Sequence, residues 1–185
     1  AYDDEAPVPG RIVRSWALWD WATQPFNSVI LTFVWVSLYL VSDSFLPDSV
    51  AAQNADGSLV CSRDADAATE YCRGLADLSA NYGWITFVAG ILVLVLAPVL
   101  GQQADARGNK KRWVVGGTAV LALLQFALFF VFSEPAFFWF GAIAVALGSV
   151  ASEIAGVSYN AMLLEVSTKK TVGRVSGLGW GLGYI

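Results

Sequence analysis

The feature that most constrains this chain is the gathering of its apolar residues into long stretches free of charge. Between Asp20 and Asp43 there are 22 uncharged residues, between Asp77 and Asp105 there are 27, and between Arg112 and Glu134 there are 21. Each is long enough to cross a hydrocarbon core, which takes about 20 residues of helix. A fourth run of 18 lies between Glu134 and Glu153 and continues past that single acid to Leu164. A fifth starts at Val175 and is still apolar at Ile185; its eleven residues are short of a span, so further helices are expected to follow. Only 14% of the 185 residues are charged, against roughly 25% in an ordinary soluble domain, and the mean hydropathy is +0.57. A soluble globular fold is excluded, and the expected class is all-α: a polytopic transmembrane helix bundle of four helices plus the start of a fifth.

Charge placement orients the bundle. Nine of the eleven Lys and Arg lie before the first run (Arg11, Arg14), between the second and third (Arg107, Lys110, Lys111, Arg112), or between the fourth and fifth (Lys169, Lys170, Arg174). Cytoplasmic loops are the ones enriched in Lys and Arg, so these three segments are expected inside. The segment from 43 to 80 carries seven acids and only Arg63 and Arg73, and it belongs outside with the short Ser133–Glu134–Pro135 connection. The resulting plan is a cytoplasmic tail (1–14), TM1 (15–42), an outer loop (43–80), TM2 (81–101), a cytoplasmic loop (102–112), TM3 (113–132), an outer turn (133–135), TM4 (136–166), a cytoplasmic loop (167–174) and the start of TM5 (175–185). The acidic, turn-rich opening AYDDEAPVPG is not a signal peptide. The expected location is a cell membrane, with the amino terminus cytoplasmic.

Cys61 and Cys72 both fall in the outer segment, where an oxidising compartment permits a disulfide; the alternative is two free thiols in a mobile loop. The stretch DADAATEYCRGLADL reads as a short amphipathic surface helix serving as a lid or spacer. With no His and no second Cys pair, no metal site is expected.

Carboxylates inside a span are functional candidates, because a charged group there must face a bundle interior or water. Asp20 lies early in TM1, in WALWDWATQPFNSV, followed by Thr23, Gln24 and Asn27; positions 20, 24, 27 and 31 share one α-helical face, with Pro25 inside the stripe. Glu153 lies in the inner half of TM4, where Ser149, Glu153, Gly156 and Asn160 recur on one face with Tyr159 adjacent. The alternatives are an interfacial Asp20 capping its helix or pairing with Arg14, and a Glu153 held in an interhelical pair. Glu165 is expected at the interface. Gly148, Ser152 and Gly156, and the glycines between 177 and 183, read as sites of close helix approach, and Trp16, Trp84, Trp113 and Trp139 as an aromatic belt. SGLGWGLGYI lacks the spacing and the βαβ setting of a nucleotide-binding loop. No enzyme chemistry, cofactor or nucleic-acid partner is expected.

The loop GQQADARGNKKR resembles the signature G-x-L-A-D-R-x-G-R-K-x of the major facilitator superfamily, found on the cytoplasmic side between its second and third helices. Gly101, Ala104, Asp105, Gly108 and Lys110 match; Gln103, Ala106 and Asn109 depart from the pattern. WALWDWATQPFNSVILTF, SYNAMLLEV and GRVSGLGWGLGYI are similar to one branch, the bacterial permeases related to the vacuolar amino-acid effluxer of autophagy. The resemblance implies two six-helix bundles, with the carboxy-terminal bundle still to come and helices one and four lining the pathway. It further implies a gating loop in which Gly101 permits close contact with the other bundle and Asp105 engages a helix end there, with Gly108, Lys110, Lys111 and Arg112 carrying the rest. The expected function is secondary transport of a small polar solute, amino acids by branch, by alternating access with ion or proton coupling. The pathway residues would be Asp20, Gln24, Asn27, Glu153, Tyr159 and Asn160. A non-transporting membrane subunit or assembly factor is the alternative.

Overall fold

A computed structural model describes residues 8–40, 42–61 and 69–183. The opening residues of the acidic tail, the start of the expected surface helix and the last two residues of the fifth run lie outside the described residues. Every regular element among those described is helical. The α- and π-helical ones are, in chain order, α1 (Gly10–Pro25), a π-helical segment (Phe26–Leu40), the short α2 (Asp48–Ala51), α3 (Glu70–Ala106), α4 (Lys110–Leu128), α5 (Phe138–Ala161), the short α6 (Leu163–Val166) and α7 (Val172–Gly183), with 3-10 turns at Asp43–Phe45, Ala52–Asn54 and Pro135–Phe137. Three helical stretches, Glu70–Ala106, Lys110–Leu128 and Pro135–Val166, are long and apolar enough to cross a membrane.

The helix of the first uncharged run changes geometry at its proline. Pro25 has no N–H to donate and its ring crowds the carbonyl one turn back. Beyond it the turns widen, and side chains follow the wider spacing: Thr32 Oγ1 donates to the Asn27 carbonyl and Ser37 Oγ to the Thr32 carbonyl, both at 2.9 Å and both five residues apart. In a membrane such departures persist where neighbouring helices hold them. Here α5 does so. Phe26 and Trp35, both buried, enter notches over Gly148 and Gly141, where a Cβ would collide with their rings.

α5 is the central helix: half of its hydrophobic stretch is buried, against 6% in α3 and in α4. It packs on α4 through small residues, since a Cβ at Gly117 would lie 2.8 Å from the Ala155 Cβ and 3.1 Å from the Ala151 carbonyl. Such contacts hold helices together in lipid, where apolar burial alone gives little driving force. The surfaces left over are apolar: Phe33, Leu38, Leu94, Leu123 and Phe129 are all more than half exposed.

The expected surface helix is not a separate element. Thr69 caps α3, its hydroxyl accepting from the Cys72 amide at 3.4 Å, and Glu70 sits in the first turn where a negative charge suits the helix dipole. From there α3 runs unbroken for 37 residues, roughly 55 Å at 1.5 Å per residue, well beyond a hydrocarbon core of about 30 Å. Its charged first turns interrupt the apolar run without interrupting the helix. They carry the outer segment, with Leu46 and Val50 packed under Tyr71 and Cys72, and Cys61 joined to Cys72 by a disulfide.

Candidate functional site

Asp20 stands in the third turn of α1, so it does not cap the helix start, and Arg14 turns back to donate to the Gly10 carbonyl at 3.2 Å rather than pairing with it. Its neighbours come from α5 and α7. A Cβ at Gly183 would meet the Asp20 carboxylate at 2.5 Å and lie 4.0 Å from the Gln24 side-chain amide. Tyr159, on α5, meets α7 one turn earlier, where a Cβ at Gly179 would lie 3.3 Å from its hydroxyl. Its ring is held between two indoles, 4.5 Å from Trp16 and 4.4 Å from Trp19 between centroids.

These indoles are tied down at their polar ends. Trp16 Nε1 donates to the Tyr159 carbonyl at 3.2 Å and Trp19 Nε1 to Thr118 Oγ1 of α4 at 2.8 Å. Trp16 is therefore a buried packing residue joining α1, α5 and α7 rather than a member of an interfacial belt, whereas Trp84 and Trp139 are largely exposed. The Tyr159 hydroxyl is buried and has no hydrogen-bond partner among the described residues. A buried hydroxyl left unmatched costs about 1–3 kcal/mol, so its persistence calls for an occupant or a role.

Of the fifth-run glycines, those at 179 and 183 make the close approach: a Cβ at Gly179 would lie 2.7 Å from the Trp16 ring, whereas Gly177 and Gly181 face open space. In TM4, Gly148 receives the Phe26 ring and Gly156 has nothing within 4 Å, so the small residues there do not form one helix-contact stripe.

Glu153 belongs to a different hollow. It lines a space of about 580 Å³ with Thr32, Tyr82, Thr86 and Ser149, between the π segment, α3 and α5. It is exposed, and no ion pair or hydrogen bond engages it among the described residues. The single polar face spanning 20, 24, 27 and 31 ends at Pro25, because the α-helical period does. Gln24 stays half-buried beside Asp20, Asn27 is half-buried in the π segment, Leu31 borders the Glu153 hollow, and Asn160 is exposed at the end of α5. The structure thus forms two polar groups, Asp20–Gln24–Tyr159 and Glu153–Ser149–Thr86.

The loop between α3 and α4 is built around Gly108, whose φ of 62° is open to glycine and strained for other residues. The Gly108 amide donates to the Asp105 carbonyl at 3.2 Å and the Asn109 amide to the Ala104 carbonyl at 3.1 Å, the paired bonds that close a helix C-terminus. This reversal places Lys110 beside Asp105, with Nζ to carboxylate 3.2 Å, and beside Glu165, at 2.9 Å. Nζ also donates to the carbonyl of Ala161, the last residue of α5, at 3.4 Å. Lys110 opens α4, the helix end whose dipole disfavours cations, and two carboxylates and a C-terminal carbonyl offset that placement. Lys111 and Arg112 remain exposed. Gly101 packs on Val157 within this bundle, a Cβ there lying 3.2 Å from that side chain.

Sequence reasoning missed Glu165 as a partner of Lys110 and the Trp16–Tyr159–Trp19 stack. The signal for the stack was Trp16 and Trp19 one turn apart, immediately before Asp20.

The profile of the vacuole effluxer Atg22-like family matches residues 10–172. An uncharacterized MFS-type transporter, YxiO, of Bacillus subtilis (strain 168) is 27% identical over 177 residues, 93% of this chain and 34% of that protein. The chain thus spans about a third of the length of that relative. No solved structure matches it. Apolar helices of membrane length, the glycine-closed loop between α3 and α4, and a profile match over most of the sequence lead to one assignment: the chain belongs to the vacuole effluxer Atg22-like family.

Proposed function

We propose that the protein is a secondary transporter that moves a small polar solute, amino acids foremost, by alternating access coupled to protons. The observation that carries this reading is the placing of Asp20 and the buried Tyr159 hydroxyl against successive turns of α7, at Gly183 and Gly179, where α1, α5 and α7 converge. A carboxylate and a free hydroxyl beside glycine-bared backbone offer an acceptor and a donor to an ammonium and carboxylate pair, or to a proton in transit. Gln24, Asn27 and Asn160 would supply further contacts, with Glu153 a second proton-binding group along the pathway. In this reading TM1 to TM5 run as the charge pattern lays them out, with the amino terminus cytoplasmic. A second bundle of the same polypeptide completes the pathway near the membrane midplane.

The loop would act as the inner gate. Asp105 and Lys110 would face the second bundle, with Gly108 shaping the turn, Gly101 packed behind it on Val157, and Lys111 and Arg112 carrying the loop's outer charge; the Lys110 contacts to Asp105 and Glu165 are the elements that could exchange partners as the bundles rock.

Proteoliposomes of the full-length protein test the coupling, with pH-gradient-driven uptake and solute exchange of radiolabelled amino acids measured side by side. Asp20→Asn and Glu153→Gln are expected to lose gradient-driven uptake while retaining exchange. If both keep full pH dependence, the proton role is wrong; if the unaltered protein moves no amino acid in either mode, the substrate class is wrong.

A further inference from the structure

α3 and α4 part after the Gly108 turn, and α5 forms the back of the cleft between them. At the loop end this cleft opens into a hollow of about 730 Å³ walled by Val120 and Leu124 of α4 and Leu147 and Ile154 of α5, with Arg107 and Arg112 at its mouth. It shares Leu147 and Val150 with a second, almost wholly apolar hollow of about 350 Å³ that runs on to Trp84 and Trp139. From Trp139 to Ile154 is 15 residues of helix, roughly 22 Å, which exceeds the roughly 15 Å depth of one leaflet's hydrocarbon.

The loop end of this cleft is basic as well as apolar. Lys110, in the same loop, has two carboxylates, while Arg107 and Arg112 have no acidic partner among the described residues. Guanidinium groups bind phosphate through paired N–H donors, and basic pockets between membrane helices take anionic headgroups, at about 1 kcal/mol per cation near the surface. A packed helix would lay an apolar flank over two unneutralised arginines, which is costly. A free phosphate ion would leave the apolar walls uncovered. Gly116 keeps the α4 wall bare, with nothing within 4 Å of where its Cβ would stand.

We propose that this cleft holds one anionic phospholipid, its phosphate between Arg107 and Arg112 and an acyl chain along α4 and α5. The lipid would brace the loop on the side that the Lys110 pairs leave open.

Native mass spectrometry of the delipidated full-length protein tests this, titrating dioleoyl phosphatidylglycerol against dioleoyl phosphatidylcholine. One phosphatidylglycerol is expected to bind roughly tenfold or more tighter than phosphatidylcholine. Arg107→Gln with Arg112→Gln should abolish that preference. Arg11→Gln with Lys170→Gln, the same charge loss elsewhere on the basic segments, should leave it within about twofold, since surface charge acts only within a Debye length. Gly116→Leu, which fills the groove and spares the arginines, should weaken phosphatidylglycerol binding as well. The proposal is overturned by equal affinity for the two lipids, by unchanged preference in the arginine double variant, by an equal loss in the Arg11 and Lys170 control, or by full retention in Gly116→Leu.

Discussion

The Tyr159 ring lies flat on the Trp16 indole, with centroids 4.5 Å apart and planes 5° from parallel, directly over the α7 backbone at Gly179. Three helices remote in sequence are thereby fixed at one point, a step from Asp20. The stack is as tight as it is because position 179 has no side chain.

Gly179→Ala is accordingly expected to lower stability by about 1–3 kcal/mol, the usual cost of overpacking a well-fitted site. The Trp16 ring is buried and donates to the Tyr159 carbonyl, so it cannot swing aside without losing that bond. Gly181→Ala, two residues on and facing open space, should instead raise stability slightly, as replacing a helical glycine does where there is room, by about 0.5–1 kcal/mol. Thermal melts of the two variants in one detergent give the comparison. Shifts of the same sign would contradict this account of α7 packing.

The Lys110 side chain touches the ends of both α3 and α5. The carboxylates it meets are exposed, Asp105 by 60% and Glu165 by 54%, so each pair should contribute no more than about 1 kcal/mol and weaken with salt. A double-mutant cycle with Lys110→Ala and Glu165→Ala is expected to give a coupling of about 0.5 kcal/mol at low ionic strength and close to zero at 1 M salt. A coupling that survives 1 M salt would mean the pair is shielded from solvent in the assembled protein.

The helical membrane class was legible because uncharged runs of more than 20 residues have few other uses, and the loop between α3 and α4 was legible from its letters and its position together. The π geometry after Pro25 was not. Hydropathy reports which residues are apolar, not how many make a turn, so the face drawn through positions 20, 24, 27 and 31 rested on a period that the proline ends. Likewise the acids from Glu70 to Asp77 break an apolar run but are ordinary residues in an α-helix, which concealed the continuity of α3. The pairing of Lys110 with Glu165 joins positions 55 residues apart, and no local pattern marks it. Trp16 was ambiguous for a chemical reason, since an amphipathic ring suits a membrane interface and a buried stack with a hydrogen-bonded edge equally well.

The Cys61–Cys72 disulfide closes a loop of about a dozen residues over the start of α3. Removing it should destabilise the outer segment by about 2–4 kcal/mol, chiefly through the freedom regained by the unfolded chain. Cys61→Ser, Cys72→Ser and the double variant should then behave alike, because either single change already opens the loop. Limited proteolysis between residues 43 and 69 reads this out, with faster cleavage in all three variants and in the reduced wild type. Unchanged cleavage after reduction would show that the Leu46, Val50 and Tyr71 packing holds the segment by itself.

The hold of α5 on the π segment rests on Phe26, fully buried, entering over Gly148, where a Cβ would stand 2.7 Å from the ring. Gly148→Ala should therefore cost about 1–3 kcal/mol by overpacking, and Phe26→Ala about 3–5 kcal/mol by leaving a cavity. The two faults are complementary in shape. Phe26→Leu withdraws part of the ring that the new methyl would strike, so Phe26→Leu with Gly148→Ala should be more stable than the sum of the single changes predicts, by about 0.5–3 kcal/mol. Strict additivity would indicate that the π segment moves away from α5 as a unit rather than holding this contact. In that event Trp35 over Gly141, nine residues along, would be released by the same substitution, and accessibility of the Trp35 indole to aqueous quenchers would rise in Gly148→Ala alone.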